Sequence, residues 1–186
     1  MTYLVLKETG FSKTSVLGMG LTLDCARLAN LISEELNVNV KNIEPCIIGS
    51  HGEKMVPLSR YTKVKGAFLD KQLKPERINE IFERTVQRGA KIVSLLGSGS
   101  AYFAPAATIC ELVAAIWRNE KRVLPVSIYL DGQYGLKDLC IGLPCILGKD
   151  GVEKVIELEL NKEERAALLE SAESIKKQIS VLSTLL

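Results

Sequence analysis

The sequence contains a single histidine, and none of its cysteines form a Cys-x-x-Cys pair. These residues cannot build the usual tetrahedral zinc cage, so no metal site is expected. Reduced, buried or half-buried thiols in a cytoplasmic protein are the expected state of the cysteine side chains. The five cysteines are Cys25, Cys46, Cys110, Cys140 and Cys145.

Three further absences narrow the class of protein. No apolar run approaches the roughly 20 residues of a membrane-spanning helix, and the apolar run after Met1 is too short for a secretory signal. The formal net charge is +2, with basic and acidic residues interspersed, so no surface for nucleic acid is indicated. The sequence has no Gly-x-Gly-x-x-Gly turn, which argues against dinucleotide binding in the usual way.

What remains is 186 residues of ordinary globular composition, 47% hydrophobic and 25% charged, which fits one domain. Helical and strand patterns predict a single α+β unit, with an antiparallel ribbon in its second half. The predicted helices are 2–9, 23–36, 75–96 with a kink at Gly89, 105–117, and a C-terminal helix after a capping box of Asn161 and Glu164. The predicted strands are 43–49, 122–130, 139–147 and 152–160, and a polar loop is predicted over 50–57.

Three residues in the first third of the sequence could together handle a 2-hydroxy acid. Asp24 and Arg27 are three positions apart on a predicted helix, so both side chains lie on one face. His51 follows a predicted buried strand, and its ordinary pKa near cytosolic pH suits proton transfer. A carboxylate can orient the imidazole, and a guanidinium can hold a substrate carboxylate through two parallel hydrogen bonds.

Spacing alone leaves the function open. A lone histidine in a loop is more often a surface or packing residue than a catalytic one. An aspartate and an arginine at positions i and i+3 are most often a solvated ion pair. Gly49 and Gly52, which flank His51, are equally compatible with a simple turn.

Several ordered motifs give the sequence a strong resemblance, over essentially its whole length, to the C-terminal, substrate-binding half of the malate and lactate dehydrogenase family. The family's Leu-Asp-x-x-Arg motif is matched at 23–27, and its Gly-x-His-Gly loop at 49–52. Segment 99–106, Gly-Ser-Ala-Tyr-Phe-Ala-Pro-Ala, resembles the active-site segment of lactate dehydrogenase-like malate dehydrogenases. The fold implied is a mostly antiparallel sheet packed by long helices, without the family's Rossmann half.

The resemblance also implies roles for the matched residues. His51 would be the catalytic proton donor and acceptor, Asp24 would orient it, and Arg27 would bind the 1-carboxylate of the substrate. The substrate pocket would be lined by Gly99, Ser100 and Ala101. Met19 is expected to be a wall of the pocket.

The implied activity is the NAD-dependent interconversion of (S)-malate and oxaloacetate, a reaction of the tricarboxylic acid cycle. L-lactate dehydrogenase is the alternative within the family, because the side chain that decides between them would lie in a mobile loop outside this sequence. A non-catalytic, truncated oligomerisation or binding module is the alternative from another class.

The family's NAD-binding half has no counterpart in this sequence. Residues 1–186 would therefore be the C-terminal substrate-binding domain, with 1–20 as the junction to an N-terminal domain that holds most of the NAD. Met19 and His51 are the candidates in this half for contact with the cofactor. The chain alone is expected to be inactive. Family assembly implies homo-dimers or tetramers, formed through the helix at 23–36 and the C-terminal helix.

Overall fold

The computed structural model describes residues 1–182. Over these residues the chain forms five α-helices, eight β-strands and three short 3-10 turns. The helices are α1 (Thr2–Thr9), α2 (Thr22–Leu36), α3 (Pro75–Leu96), α4 (Phe103–Trp117) and α5 (Lys162–Leu182). The strands are β1 (Ile43–Glu44), β2 (Ile47–Gly49), β3 (Met55–Pro57), β4 (Lys63–Val64), β5 (Ala67–Phe68), β6 (Arg122–Asp131), β7 (Lys137–Gly148) and β8 (Gly151–Val155).

A five-stranded antiparallel sheet forms the centre of the fold. Four strands follow the order β3-β2-β7-β6, and β8 pairs with β7. The long β6–β7 pair, with Arg122 opposite Leu147 at one end, confirms the predicted antiparallel ribbon. Buried residues alternate along β6, as expected for a strand with one covered face. Apolar residues of this sheet pack with residues of α4 and α5 in one core.

The strand predicted over 43–49 is wrong, because this segment forms two strands. β1 belongs to a small sheet of order β1-β4-β5, whereas β2 belongs to the central sheet. Pro45 lies between them and has no N–H to donate to a ladder. The next N–H, that of Cys46, donates to Oγ1 of Thr62 at 3.1 Å. The apolar segment therefore connects the two sheets.

The loop predicted over 50–57 is shorter than expected. Met55–Pro57 is strand β3, which turns back on β2 so that Gly49 lies opposite Met55 and Ile47 opposite Pro57. β3 is an edge strand, and proline is tolerated there because its missing N–H is not needed by a neighbour. The connection that remains, 50–54, carries His51, and we call it the histidine loop.

Most helix boundaries follow their sequence signals. Gly10 adopts the left-handed conformation, with φ 66°, directly after α1. The predicted capping box is present at α5, where Glu164 N–H donates to Asn161 Oδ1 at 2.8 Å and Asn161 N–H donates to Glu164 Oε2 at 2.9 Å. α3 continues through Gly89 without interruption. The strand predicted over 152–160 ends earlier, at Val155.

Helix α2 is embedded in a second apolar core. Leu28, Leu31 and Ile32 are fully buried there, and residues of α3 and of the small sheet pack against them. This packing fixes the helix whose first turn carries Asp24. Within residues 1–182, no helix combines the length and the apolar character needed to cross a membrane.

Candidate active site

The first turn of α2 places a carboxylate and a guanidinium side by side. Asp24 is completely buried and Arg27 is 12% exposed, and Arg27 Nη1 donates to Asp24 Oδ1 at 3.1 Å. A carboxylate in the first turn of a helix is favoured by the helix dipole. A buried carboxylate without a partner would be strongly destabilising, so Arg27 gives Asp24 part of the compensation that its burial requires.

The histidine loop brings the imidazole to the same carboxylate. The loop follows Gly49, the last residue of β2, whose φ of +99° lies in a region that L side chains rarely adopt. His51 Nδ1 lies 2.6 Å from Asp24 Oδ2. The two oxygens of Asp24 therefore bind one partner each, so the structure brings His51, Asp24 and Arg27 into contact with one another.

The environment of His51 favours its charged form. The hydrogen bond to Asp24 is the largest influence and raises the pKa of the imidazole, and the negative charge of Asp24 acts in the same direction. Burial and the positive charge of Arg27 lower it, but the net direction is upward. His51 is thus held as a base that is stronger than an ordinary histidine.

The second imidazole nitrogen is the one available for chemistry. Because Asp24 occupies Nδ1, proton exchange with a bound molecule must take place at Nε2. The His51 side chain is 57% exposed, and it lines a cleft of about 830 Å³. That volume is in the range of small-molecule sites.

The cleft lies between the central sheet, α5 and the start of the chain. Met19 lines it together with His51, as do Ser127 and Gly142 of the sheet and Gln178 of α5. Of the residues predicted to carry the site, Met19 and His51 thus line this cleft, whereas Asp24 and Arg27 are not among the described residues that do. The predicted pocket residues lie elsewhere, in the connection between α3 and α4, and are not among the described residues that line this cleft. They are Gly99, Ser100 and Ala101.

The cysteines do not add a nucleophile or a metal centre to this site. All five are free, and within 1–182 no group of three or more His, Cys, Asp or Glu side chains is arranged to hold a metal ion. Cys140 lines the cleft, but burial raises its pKa to about 11. Burial likewise raises the pKa of Cys145 to about 12. Thiols with such pKa values stay protonated and are weak nucleophiles at neutral pH.

Comparison with known proteins places this chain in a family. Residues 21–184 match the family model described as lactate/malate dehydrogenase, alpha/beta C-terminal domain. The chain belongs to the lactate/malate dehydrogenase family. This confirms the resemblance and the fold class that the sequence motifs predicted.

Curated relatives and solved structures agree with this lactate/malate dehydrogenase assignment. The chain is 50% identical over 182 residues to a malate dehydrogenase of Halalkalibacterium halodurans, and this match covers 98% of the chain and 58% of the relative. Its fold matches a malate dehydrogenase structure from Salinibacter ruber with a TM-score of 0.96 and 43% identity, covering 99% of the chain and 60% of that structure. A Cryptosporidium parvum malate dehydrogenase gives a TM-score of 0.95 at 33% identity, covering 98% of the chain and 60% of that structure. The chain thus spans less than two thirds of the length of these family members.

One residue at the site was missed by the sequence analysis. Ser171 of α5 is completely buried, and it accepts a hydrogen bond from Ser50 N–H, next to His51, at 2.8 Å. The available signal was weak. Ser171 is a polar residue on the apolar face that Leu168, Ala172 and Ile175 define, a pattern that by itself indicates packing.

Proposed function

We propose that this chain is the substrate-binding half of an NAD-dependent malate dehydrogenase, which interconverts (S)-malate and oxaloacetate. The observation that supports it is the shared carboxylate of Asp24, which contacts His51 at 2.6 Å and Arg27 at 3.1 Å. An acid–base group and an anion-binding group held by one buried residue fit a substrate that carries a hydroxyl next to a carboxylate. The malate dehydrogenase relatives favour malate over lactate.

In this proposal His51 moves the proton. In the direction of malate oxidation, neutral His51 accepts the hydroxyl proton at Nε2, and the Asp24 carboxylate stabilises the resulting imidazolium. In the reverse direction the imidazolium donates that proton to the carbonyl oxygen of oxaloacetate. The raised pKa of His51 extends the pH range in which the imidazolium is present.

Arg27 orients the substrate. Its guanidinium carries five N–H donors, and one nitrogen, Nη1, is bonded to Asp24. The remaining donors can bind the 1-carboxylate of malate and hold the reacting carbon near His51. Fixing the reactant in this way lowers the barrier because little orientational freedom is left to lose in the transition state.

The residues of this chain fit one end of the cofactor. Met19 and His51 line the same cleft, so the nicotinamide ring of NAD could lie against the Met19 side chain. The sequence has no glycine-rich turn for the pyrophosphate, and this part of the cofactor would be held by the segment that the longer relatives possess. When bound, NAD would supply, at its nicotinamide ring, the acceptor for the hydride that leaves the hydroxyl-bearing carbon of malate.

Three further features of the proposal follow from the family. Gly99, Ser100 and Ala101 would reach the substrate, and residues 1–20 would form the junction to the NAD-binding segment.

The protein would assemble into dimers or tetramers. α2 is largely buried within the chain, whereas α4 exposes Ile109, Val113 and Trp117, so α4 offers the larger apolar contact surface. The free cysteines suit a reducing compartment such as the cytoplasm.

The test is a chimera in which residues 1–186 follow the part of the H. halodurans relative that lies outside the match. We call it the completed chimera. We expect malate-dependent reduction of NAD by the completed chimera and none by residues 1–186 alone. A folded, NAD-binding chimera without malate-dependent or lactate-dependent turnover would contradict the proposal. Because the side chain expected to decide between malate and lactate lies outside residues 1–186, the chimera takes its substrate preference from the H. halodurans segment and tests the catalytic part of the proposal.

A further inference from the structure

Helix α5 contacts the histidine loop through the side chain of Ser171. Ser171 Oγ accepts a hydrogen bond from Ser50 N–H at 2.8 Å and donates one to Ser50 Oγ at 3.2 Å. Ser171 is completely buried. Without Ser50, its hydroxyl would be a buried polar group that lacks these hydrogen bonds, which is unfavourable. Ser50 is the residue directly before His51.

The backbone is shaped for this contact. A Cβ atom on Gly49 would lie 2.9 Å from Ser171 Oγ and 3.1 Å from Lys54 O. Real side-chain carbons would be crowded at such distances. A glycine at position 49 therefore allows the hydroxyl of Ser171 to approach the start of the histidine loop.

A second contact of α5 with the loop is of a different kind. Lys54 Nζ lies 2.5 Å from Glu170 Oε1, and the two side chains are 47% and 67% exposed. Solvent screens such surface pairs, so they contribute little to stability. Of the two neighbouring residues on α5, Ser171 is thus the one able to fix the loop firmly.

We propose that Ser171 is a positioning residue, which fixes the backbone of the histidine loop so that His51 Nδ1 stays on Asp24. The geometric part of this proposal stands on the contacts above. Its catalytic consequence rests on the function proposed for His51.

The charges around His51 make the proposal testable. Asp24 and Arg27 face the imidazole from α2, and Glu53 and Lys54 line the cleft beside it. Replacing Ser171 by alanine leaves all of these charges unchanged. A change of the His51 pKa in that variant would therefore report a change in geometry, above all a loosened hydrogen bond to Asp24.

The experiment is a titration of His51 by NMR in untagged residues 1–186, where it is the single histidine. Asp24→Asn gives the reference for a lost contact. We expect Ser171→Ala to lower the His51 pKa in the same direction as Asp24→Asn, and Ser171→Thr, which keeps the hydroxyl, to restore part of the parent value. Glu170→Gln is the matched control on the adjacent residue, and its His51 pKa should stay near that of the parent. An unchanged His51 pKa in folded Ser171→Ala would overturn the proposal.

Two further measurements cover the remaining outcomes. If Ser171→Ala does not fold, hydrogen exchange of the Ser50 amide in the parent decides: slow exchange supports its bond to Ser171, and exchange as fast as in an open loop overturns it.

In the completed chimera, Ser171→Ala should lower kcat roughly tenfold with a smaller change of KM, since small misplacements of a catalytic group are costly. A shifted His51 pKa with unchanged kcat would support the positioning role and contradict the function proposed for His51.

Discussion

Asp24 Oδ2 and His51 Nδ1 lie 2.6 Å apart, although 27 positions separate the two residues in the chain. This contact joins the first turn of α2 to the histidine loop. The other oxygen of Asp24 accepts from Arg27, so the proposed proton-transfer group and the proposed anion-binding group both depend on one buried carboxylate. Substitutions at the three positions should therefore have different and separable effects.

Replacing His51 by asparagine should abolish turnover of the completed chimera. Asparagine can still accept or donate a hydrogen bond near Asp24, but it has no group that exchanges protons near neutral pH. General acid–base catalysis contributes about 10²–10⁴-fold, so kcat should fall by at least that factor. Circular dichroism and urea unfolding would show whether the fold is kept. Equal turnover of variant and parent would remove His51 from the mechanism.

Replacing Arg27 by lysine should raise KM for malate by about tenfold or more in the completed chimera. An ammonium group cannot bind Asp24 and present a planar pair of donors to the substrate at once, and hydrogen bonds to charged groups contribute about 1.5–3 kcal/mol. Arg84→Lys is the matched control, because Arg84 forms an exposed surface pair with Glu34. Steady-state kinetics measure both variants. If KM is the same for the two, Arg27 does not bind the substrate.

The stability of residues 1–186 should decrease as pH rises through the pKa of His51. The folded-state pKa is raised by Asp24, whereas the unfolded value is close to 6.5. The contribution of the His51–Asp24 pair is therefore complete below about pH 6.5 and is lost at higher pH, through the raised folded pKa. Urea unfolding of parent and His51→Asn across this range isolates the contribution. The same pH dependence in both proteins would contradict it.

The candidate site could be predicted in part from the sequence. Asp24 and Arg27 lie on one helical face by spacing alone, and the buried strand before His51 indicated a loop at its end. Their convergence depends on how α2 packs against β2, and no local pattern contains that information. Ser171 was missed for the same reason: its partner, Ser50, is 121 positions away.

The main errors in the fold prediction arose where tertiary pairing decides the structure. An apolar run from Ile43 to Gly49 resembles one strand, but Pro45 cannot donate to a ladder, and the two halves pair in different sheets. Met55–Pro57 has too few residues for a strand pattern, and it forms β3 because β2 offers a partner. Long elements such as α3 and β6 were predicted well, because their periodicity extends over many residues.

Residues 1–186 alone should self-associate through α4. Ile109, Val113 and Trp117 are exposed at intervals of four residues, so they form one apolar face, and such faces usually contact a partner. Replacing all three by serine should reduce association in analytical ultracentrifugation. Val40→Ser removes an exposed apolar side chain outside α4 and is the control. Unchanged association of the triple variant would exclude this face as the contact.

Two glycine substitutions should change stability in opposite directions. A Cβ on Gly142 would lie 2.7 Å from Leu21 Cδ1 and 2.8 Å from Gly49 O, where β7 pairs with β2. Gly142→Ala should therefore lower the free energy of unfolding by about 1–3 kcal/mol, as overpacked cores do.

Gly89 is the matched position inside a helix. A Cβ there would have Arg27 Nη1 as its nearest contact, at 3.4 Å, which is an ordinary van der Waals distance. Alanine is preferred over glycine in a helix by up to about 1 kcal/mol, so Gly89→Ala should raise the free energy of unfolding. Urea titrations of both variants against the parent measure these differences. A Gly142→Ala protein as stable as the parent would show that Leu21 and the β2–β7 pair can move apart at little cost.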